Sequence, residues 1–234
     1  MTTILLIETA TTACSVGLAR DGKLIALRES LDQRSHAELI TVFIADLLRE
    51  ANIPFSALDA VAVSKGPGSY TGLRIGVSTA KGICYAHDKP LIAIETLYAM
   101  AAGFKQNYSA NMQQDDLLCP MIDARRMEVY AALFDADLNL ILPTEAVIVD
   151  EQSFQEFLKD KRIHFFGDGA NKCREPLAKQ AKAQFIDGVH PSAAFFVEAA
   201  FAAYAAQSFE DVAYFEPFYL KDFVAGIPKV KGLR

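Results

Sequence analysis

The sequence predicts an α/β protein built from two similar units, each with a mixed β-sheet flanked by helices. Three observations support this prediction. The chain opens with three strand-like runs, and the second and third are joined by the hairpin signal Asp21-Gly22. Helical and strand-like segments then alternate as far as Gly103. A second strand-rich stretch begins at Leu117 and repeats the first pattern in weaker form, which indicates an internal duplication.

The elements of the first unit follow from aliphatic runs and from apolar residues at helical spacing. The pattern predicts strands at 4–8, 14–20, 23–30, 59–64 and 90–94 and helices at 36–51, 70–86 and 95–103. Ser35 and Ser69 are the expected N-caps of the first two helices, and Glu38 completes a capping box with Ser35. This order of elements is the topology of actin-like ATPases, in which nucleotide lies in a cleft between two such domains.

The second unit follows a polar stretch, 104–116, that we interpret as a linker region at a domain boundary. Beyond it the pattern predicts strands at 117–123, 128–135, 146–149 and 163–166 and helices at 153–158 and 192–207. The sequence therefore predicts an N-terminal actin-like subdomain at 1–104, a smaller C-terminal actin-like subdomain at 105–220 and a tail at 221–234.

Composition and charge argue against several classes of protein. Hydrophobic residues make up 52% of the chain and charged residues 22%, which predicts a packed core. The net charge of -6 argues against a broad basic surface for nucleic acid. We see no secretory leader and no apolar run of membrane-spanning length, so we expect a cytoplasmic protein without a membrane partner. The cysteines lie far apart without a C-x-x-C pair, which predicts buried free thiols at Cys14, Cys84, Cys119 and Cys173.

The glycine-rich stretch KGPGSYTGLRIG, residues 65–76, admits three interpretations. It is not a Walker A motif, because no Gly-Lys-Ser/Thr follows the glycines. An anion could bind at the N-terminus of the following helix, or the glycines could simply form a tight turn that Ser69 caps. The third interpretation is that the loop positions a helix for contact with a partner.

Small residues recur at four-residue spacing along the predicted second helix. One row holds Gly72, Gly76 and Ala80, and another holds Ser78 and Gly82. A glycine inside a helix costs about 1 kcal/mol relative to alanine, so these glycines need a packing reason. Close approach of a partner helix would supply one. Close packing against the protein's own sheet or first helix would supply it equally well.

The features expected of an ATP site are weak in this sequence. The turn between the first two strands, residues 9–13, contains no glycine through which backbone N–H groups could approach phosphate. Weak cofactor-site candidates remain at Glu8, Gly66 and Gly68. Asp123 and Asp168 each follow a predicted strand, but a metal-binding pair is not supported by spacing. The runner-up function is nevertheless an actin-like ATPase or kinase.

Four stretches of the chain closely resemble the TsaB (YeaZ) family: IETATTACSVGL, SHAELI, GPGSYTGLRIGVSTAKG and PFYLK. The resemblance implies a bacterial protein required to form N6-threonylcarbamoyladenosine (t6A) at position 37 of tRNAs that read codons beginning with A. It implies a non-catalytic subunit that pairs with the catalytic protein TsaD, joins TsaE in a ternary complex and forms a homodimer when alone. It further implies that tRNA is reached only through the complex, and that ATP or ADP and metal belong to the partner subunits.

The resemblance also implies where the partner docks, namely on the first two helices. The expected contact residues are Leu39, Val42, Ser69, Tyr70, Gly72, Arg74, Ile75, Gly76, Thr79 and Ile83. TsaD carries a His-x-x-x-His metal site, and Thr96 and Met100 stand at the matching positions here. We therefore predict no catalytic and no metal-binding residue and no cofactor required by this chain. A glycoprotease-like metallopeptidase is the remaining alternative.

Overall fold

The first sheet has five strands in the order β3-β2-β1-β4-β5. In this computed structural model, which describes residues 1–32, 36–108 and 112–221, the strands are β1 (Thr3–Glu8), β2 (Cys14–Arg20), β3 (Lys23–Ser30), β4 (Ala60–Gly66) and β5 (Leu91–Glu95). The first three strands pair antiparallel, and β4 and β5 add in parallel to β1. The predicted strands of this unit are therefore confirmed.

Helices cover both faces of this sheet. Helices α1 (His36–Glu50) and α2 (Tyr70–His87) pack on one face, against Leu5 and Ile7 of β1. Helix α3 (Thr96–Tyr108) packs on the other face, against Ile4 and Leu6. Successive strand residues point to opposite faces, so a continuous apolar run such as ILLI serves both layers at once. The expected α1 N-cap, Ser35, and the side chain of the following histidine lie outside the described residues.

The second sheet repeats the connectivity of the first. Its strands are β6 (Leu117–Asp123), β7 (Glu128–Asp135), β8 (Leu140–Ile148), β9 (Ile163–Phe166) and β10 (Ala183–Ile186), in the order β10-β9-β6-β7-β8. Here too the first three strands are antiparallel, and the last two are parallel to the first. A short helix, α4 (Gln155–Leu158), precedes β9. The duplicated actin-like architecture is confirmed.

The polar stretch at 104–116 is only partly a linker. Helix α3 continues to Tyr108, and Phe104 is buried with its ring stacked on Phe166 at a centroid distance of 4.3 Å. The prediction that the helix stops near Gly103 is therefore wrong. Phe104 is a single buried aromatic residue in this turn, whereas Lys105, Gln106 and other polar residues lie on the outer side of the helix. The apolar periodicity therefore could not reveal the extra turn.

The C-terminal part of the chain returns to the first sheet. A 3-10 turn at Ala193–Phe196 leads into α5 (Val197–Ala205), where the sequence predicted one helix over 192–207. Phe196 and Ala200 pack with Ile4 and Leu6. The segment that follows α5 reaches β4, since the N–H of Phe218 donates to the carbonyl of Lys65 at 2.7 Å. The boundaries at 104 and 220 stay a prediction, but the second sheet lies wholly between Leu117 and Ile186.

The four cysteines are buried free thiols, as predicted. Burial raises the pKa of Cys14 and Cys173 to about 11 and that of Cys84 to about 12, so none is a thiolate at neutral pH.

Among the described residues, no helix combines the length and the apolar character needed to cross a membrane.

Candidate functional site

Glu8, the last residue of β1, is a fully buried carboxyl group. Burial raises its pKa to about 7, although hydrogen bonds from the N–H of Ala10, the hydroxyl of Ser64 and the N–H of Thr9 act in the opposite direction. Within the described residues its Oε2 atom has no hydrogen-bond partner. The carboxyl group thus holds its own turn through Oε1, which accepts the N–H of Ala10.

The turn between β1 and β2 is filled by the loop that leads into α2. The N–H of Ser69 donates to the carbonyl of Ala10 at 2.6 Å. A Cβ atom added to Gly68 would lie 2.3 Å from the same carbonyl oxygen, so only glycine allows this approach. The loop that leads into α2 therefore packs directly against the β1–β2 turn.

The other weak cofactor candidate, Gly66, also has a packing role. Its φ of +112° is a conformation that favours glycine, and an added Cβ would lie 2.7 Å from the carbonyl oxygen of Phe218. Gly66 therefore accommodates the C-terminal segment, while Gly68 accommodates the first turn. Neither glycine lies against open space.

Helix α2 presents its two rows of small residues in opposite directions. Gly72, Gly76 and Ala80 are buried. A Cβ atom would lie 2.1 Å from the Thr9 carbonyl oxygen if added to Gly72 and 2.2 Å from Thr9 Oγ1 if added to Gly76. The prediction that Gly72 and Gly76 contact a partner is therefore wrong, because this chain's own first turn occupies that place.

The second row, Ser78 and Gly82, faces outward. Both residues are exposed, and a Cβ atom added to Gly82 would meet no described atom within 4 Å other than its chain neighbours and the backbone of its own helix. The row of Ser78 and Gly82 is thus the one available to another molecule. Spacing alone could not separate the rows, because glycine, alanine and serine carry too little hydrophobic contrast to mark a buried face.

The remaining candidates lie on the same two helices, which pack on one face of the first sheet. Val42 on α1 is 50% exposed, whereas Leu39, Ile75 and Ile83 are partly buried and pack against the core beneath α1 and α2. Thr79 is half-buried, and its hydroxyl donates to the carbonyl of Ile75 at 2.8 Å. We define the docking face as the exposed surface formed by Val42, Ser78 and Gly82.

The N-terminal end of α2 is engaged with the C-terminal segment. Ser69 is the N-cap, as predicted, and its Oγ accepts the N–H of Gly72 at 3.3 Å. Arg74 donates to the hydroxyl of Tyr70 at 2.7 Å, and the ring of Tyr70 lies 4.9 Å from that of Tyr219. Tyr70 and Arg74, two of the expected contact residues, therefore border a groove of about 340 Å³ between α2 and residues 215–219.

The C-terminal segment packs against α2, a contact that reasoning from the sequence did not predict. Lys81 fixes it to α2 by donating to the carbonyls of Ala213 and Phe215 at 3.2 and 2.9 Å. Tyr214 on the same segment is 84% exposed, and Tyr85 near the end of α2 is 87% exposed. The motif PFYLK within this segment was the available signal.

The carboxylates at the strand ends of the second sheet are already paired. Lys172 forms a salt bridge with Asp123 and also donates to the carbonyls of Arg126 and Glu128 at 2.8 and 2.7 Å. Asp168 accepts the N–H of Asp123 at 3.0 Å. The Lys172 ammonium group thus occupies the place among these oxygen atoms that a metal cation would need.

The positions that match the TsaD histidines lie at the start of α3. Thr96 and Met100 are both fully buried. No cluster of three or more His, Cys, Asp or Glu residues that could hold a metal ion occurs in the described ranges.

The burial of Glu8 predicts a stability that depends on pH. A folded-state pKa near 7, above the ordinary 4.5, means that the folded protein retains a proton that the unfolded chain has lost. We expect the free energy of unfolding to fall by about 2–3 kcal/mol between pH 5 and pH 8, and Glu8→Gln to remove most of that fall. Denaturant titrations of both proteins at several pH values measure it. If the free energy of unfolding depended on pH equally in the wild type and in Glu8→Gln, that result would contradict a buried Glu8.

Comparisons with known proteins agree with this architecture. The family model for TsaD, tRNA N6-adenosine threonylcarbamoyltransferase, matches residues 30–229. YeaZ from Pseudomonas aeruginosa superposes with a TM-score of 0.81 at 25% identity, over 94% of this chain and 100% of that one.

Relatives from Escherichia coli and Bacillus subtilis are among those that carry the name tRNA threonylcarbamoyladenosine biosynthesis protein TsaB. The one from Escherichia coli is 38% identical over 151 residues, which cover 63% of this chain and 63% of the relative, just under two thirds of its length. The one from Bacillus subtilis is 32% identical over 168 residues, which cover 70% of each chain. The chain therefore belongs to the family that the TsaD model describes and, within it, to the TsaB (YeaZ) proteins.

Proposed function

We propose that this chain is a non-catalytic subunit in the formation of t6A at position 37 of tRNAs that read codons beginning with A, and that it binds and stabilises a TsaD-type transferase. The names of the Escherichia coli and Bacillus subtilis relatives support the pathway. The match to the TsaD family model supports a partner of the same fold.

The observation that carries the proposal is the docking face. Ser78 and Gly82 leave exposed small side chains along α2, and Val42 supplies exposed apolar area on α1, which packs on the same face of the sheet. Small side chains let the backbone of a second helix approach closely, and burying the apolar neighbours then contributes about 25 cal/mol per Å². A helical pair from the partner fits such a face.

The filled first turn supports the non-catalytic part of the proposal. Gly68 and Ser69 pack directly on Ala10, so phosphate could reach this turn only if the loop moved. Asp123 is neutralised by Lys172. In this proposal ATP or ADP and metal are held by the partner subunits, TsaE completes a ternary complex, and the chain acts in the cytoplasm. Without TsaD, the same face would pair with a second copy.

Gly82→Leu tests the docking face with little expected effect on the fold. The added side chain enters open space, whereas in the complex it would occupy the place of the partner helix. We expect the dissociation constant for the cognate TsaD-type protein to rise at least about tenfold, a loss of about 1.4 kcal/mol. Size exclusion with light scattering should show a one-to-one complex for the wild type and separate proteins for the variant.

The matched control is Ala202→Leu, which adds similar bulk to an exposed position on α5. It should pair like the wild type, and thermal unfolding should show that both variants are folded. Unimpaired pairing of Gly82→Leu would move the interface elsewhere. A wild-type monomer that ignores the transferase and binds ATP would overturn the proposal in favour of an actin-like ATP-binding enzyme.

A further inference from the structure

The turn between β6 and β7 displays two adjacent arginines. Arg125 and Arg126 are both exposed, and their φ angles are +70° and +51°. Neither guanidinium forms a hydrogen bond or salt bridge with another described residue, although the charge of Arg125 helps to lower the pKa of Asp123. Two positively charged hydrogen-bond donors therefore lie side by side, and neither has an acceptor in the part of the chain that the structure describes.

The backbone of this turn is held firmly from below. Asp123 Oδ1 accepts the N–H of Arg125 at 2.8 Å, and Lys172 donates to the carbonyl of Arg126. Asp168 anchors the strand end by accepting the N–H of Asp123. A fixed backbone lowers the entropy that the arginines lose when they bind a ligand. The turn is thus a prepared support for two exposed cations.

Because the two sheets repeat the same connectivity, the β6–β7 turn can be compared with its counterpart in the first sheet. The β6–β7 turn is the counterpart of the β1–β2 turn, because each joins the first two strands of its sheet. In both turns the carboxylate that ends the first strand accepts the N–H two residues later, Glu8 from Ala10 and Asp123 from Arg125. The first copy is covered by Gly68 and Ser69, whereas the second is open to solvent, with Met127 45% exposed.

We propose that Arg125 and Arg126 bind the phosphodiester backbone of the RNA on which the complex acts. This inference rests on the proposed function. A guanidinium matches the geometry of a phosphate group and can donate two parallel hydrogen bonds to it. An open turn with two adjacent cations fits successive phosphates of a strand better than a free nucleotide, which requires an enclosing site. In a chain of net charge -6, a local pair of cations such as this one supplies the attraction to phosphate that the overall charge does not.

The test uses the complex of this chain with its cognate TsaD-type protein and unmodified tRNA. The variant is Arg125→Gln with Arg126→Gln, and tRNA affinity is measured by filter binding over a range of salt concentrations. We expect affinity to fall about tenfold at low salt. The slope of log affinity against log salt should become shallower by about 1–2, because each lost phosphate contact releases roughly 0.7–0.9 fewer counterions.

The control variant, Lys161→Gln with Lys179→Gln, removes the same charge from two other exposed positions. It should bind tRNA like the wild type, and both variants should still pair with the transferase. Unchanged affinity and slope in the arginine variant would overturn the inference while leaving the proposed function intact. Loss of pairing would show that the turn binds an acidic protein surface instead. Loss of ATP binding with unchanged tRNA affinity would assign it to free nucleotide. A wild-type chain that does not pair with the transferase would remove the proposed function itself.

Discussion

Gly72→Ala is expected to lower the free energy of unfolding by about 3 kcal/mol, the upper part of the range for overpacked sites. The new Cβ would lie 2.1 Å from the Thr9 carbonyl oxygen, and Thr9 Oγ1 already donates to the carbonyl of Gly72 at 2.8 Å. Both oxygen atoms belong to Thr9, which is buried in the β1–β2 turn. The clash could therefore be relieved only by separating α2 from the end of β1. Urea or guanidinium titration monitored by circular dichroism measures the loss.

The matched control is Gly82→Ala in the same helix. Outside its chain neighbours and the backbone of α2, no described atom lies within 4 Å of the added Cβ, so the substitution should only restrict the unfolded chain and improve helix propensity. We expect a gain of about 0.5–1 kcal/mol. Two identical substitutions ten residues apart should therefore change stability in opposite directions, and a gain at Gly72 would contradict the packing described for α2.

Asp116→Ala is expected to cost about 3 kcal/mol of stability. Asp116 is buried immediately before β6, where Oδ2 accepts from Arg162 at 2.5 Å and lies 2.8 Å from His164 Nε2. Removing one member of a buried pair typically costs 3–5 kcal/mol, and the lower figure applies because the Arg162 side chain is 31% exposed. Asp115→Ala, at the exposed neighbouring position, should change stability by less than about 0.5 kcal/mol.

The same cluster makes the second sheet sensitive to acid. Burial raises the pKa of Asp116, but the hydrogen bonds from Arg162, His164 and the N–H of Gln113 outweigh it, so the pKa lies below its usual value. The stabilisation is therefore present above the unfolded pKa near 3.9 and is lost as pH falls through the lower folded pKa. Acid titration of wild type and Asp116→Ala should show the largest difference near neutral pH, and parallel curves would contradict this role.

Much of the fold was predictable from local pattern. Continuous aliphatic runs mark strands that are buried on both faces, and Asp21-Gly22 marks the hairpin between β2 and β3. The end of α3 was not predictable, because Phe104 is one buried residue on an otherwise polar turn. Strand β10 was missed as well, since its residues are only partly buried and carry no clear alternation.

Residue types and short spacings were enough to predict the duplicated α/β architecture, the cap at Ser69, the buried thiols and the family. Which small residues of α2 face outward depends instead on tertiary packing. Gly72 and Gly76 are buried because the β1–β2 turn packs against them, whereas no described residue outside α2 packs against Gly82. The open β6–β7 turn is likewise a tertiary fact, since both turns end a strand in a carboxylate and differ only in what covers them.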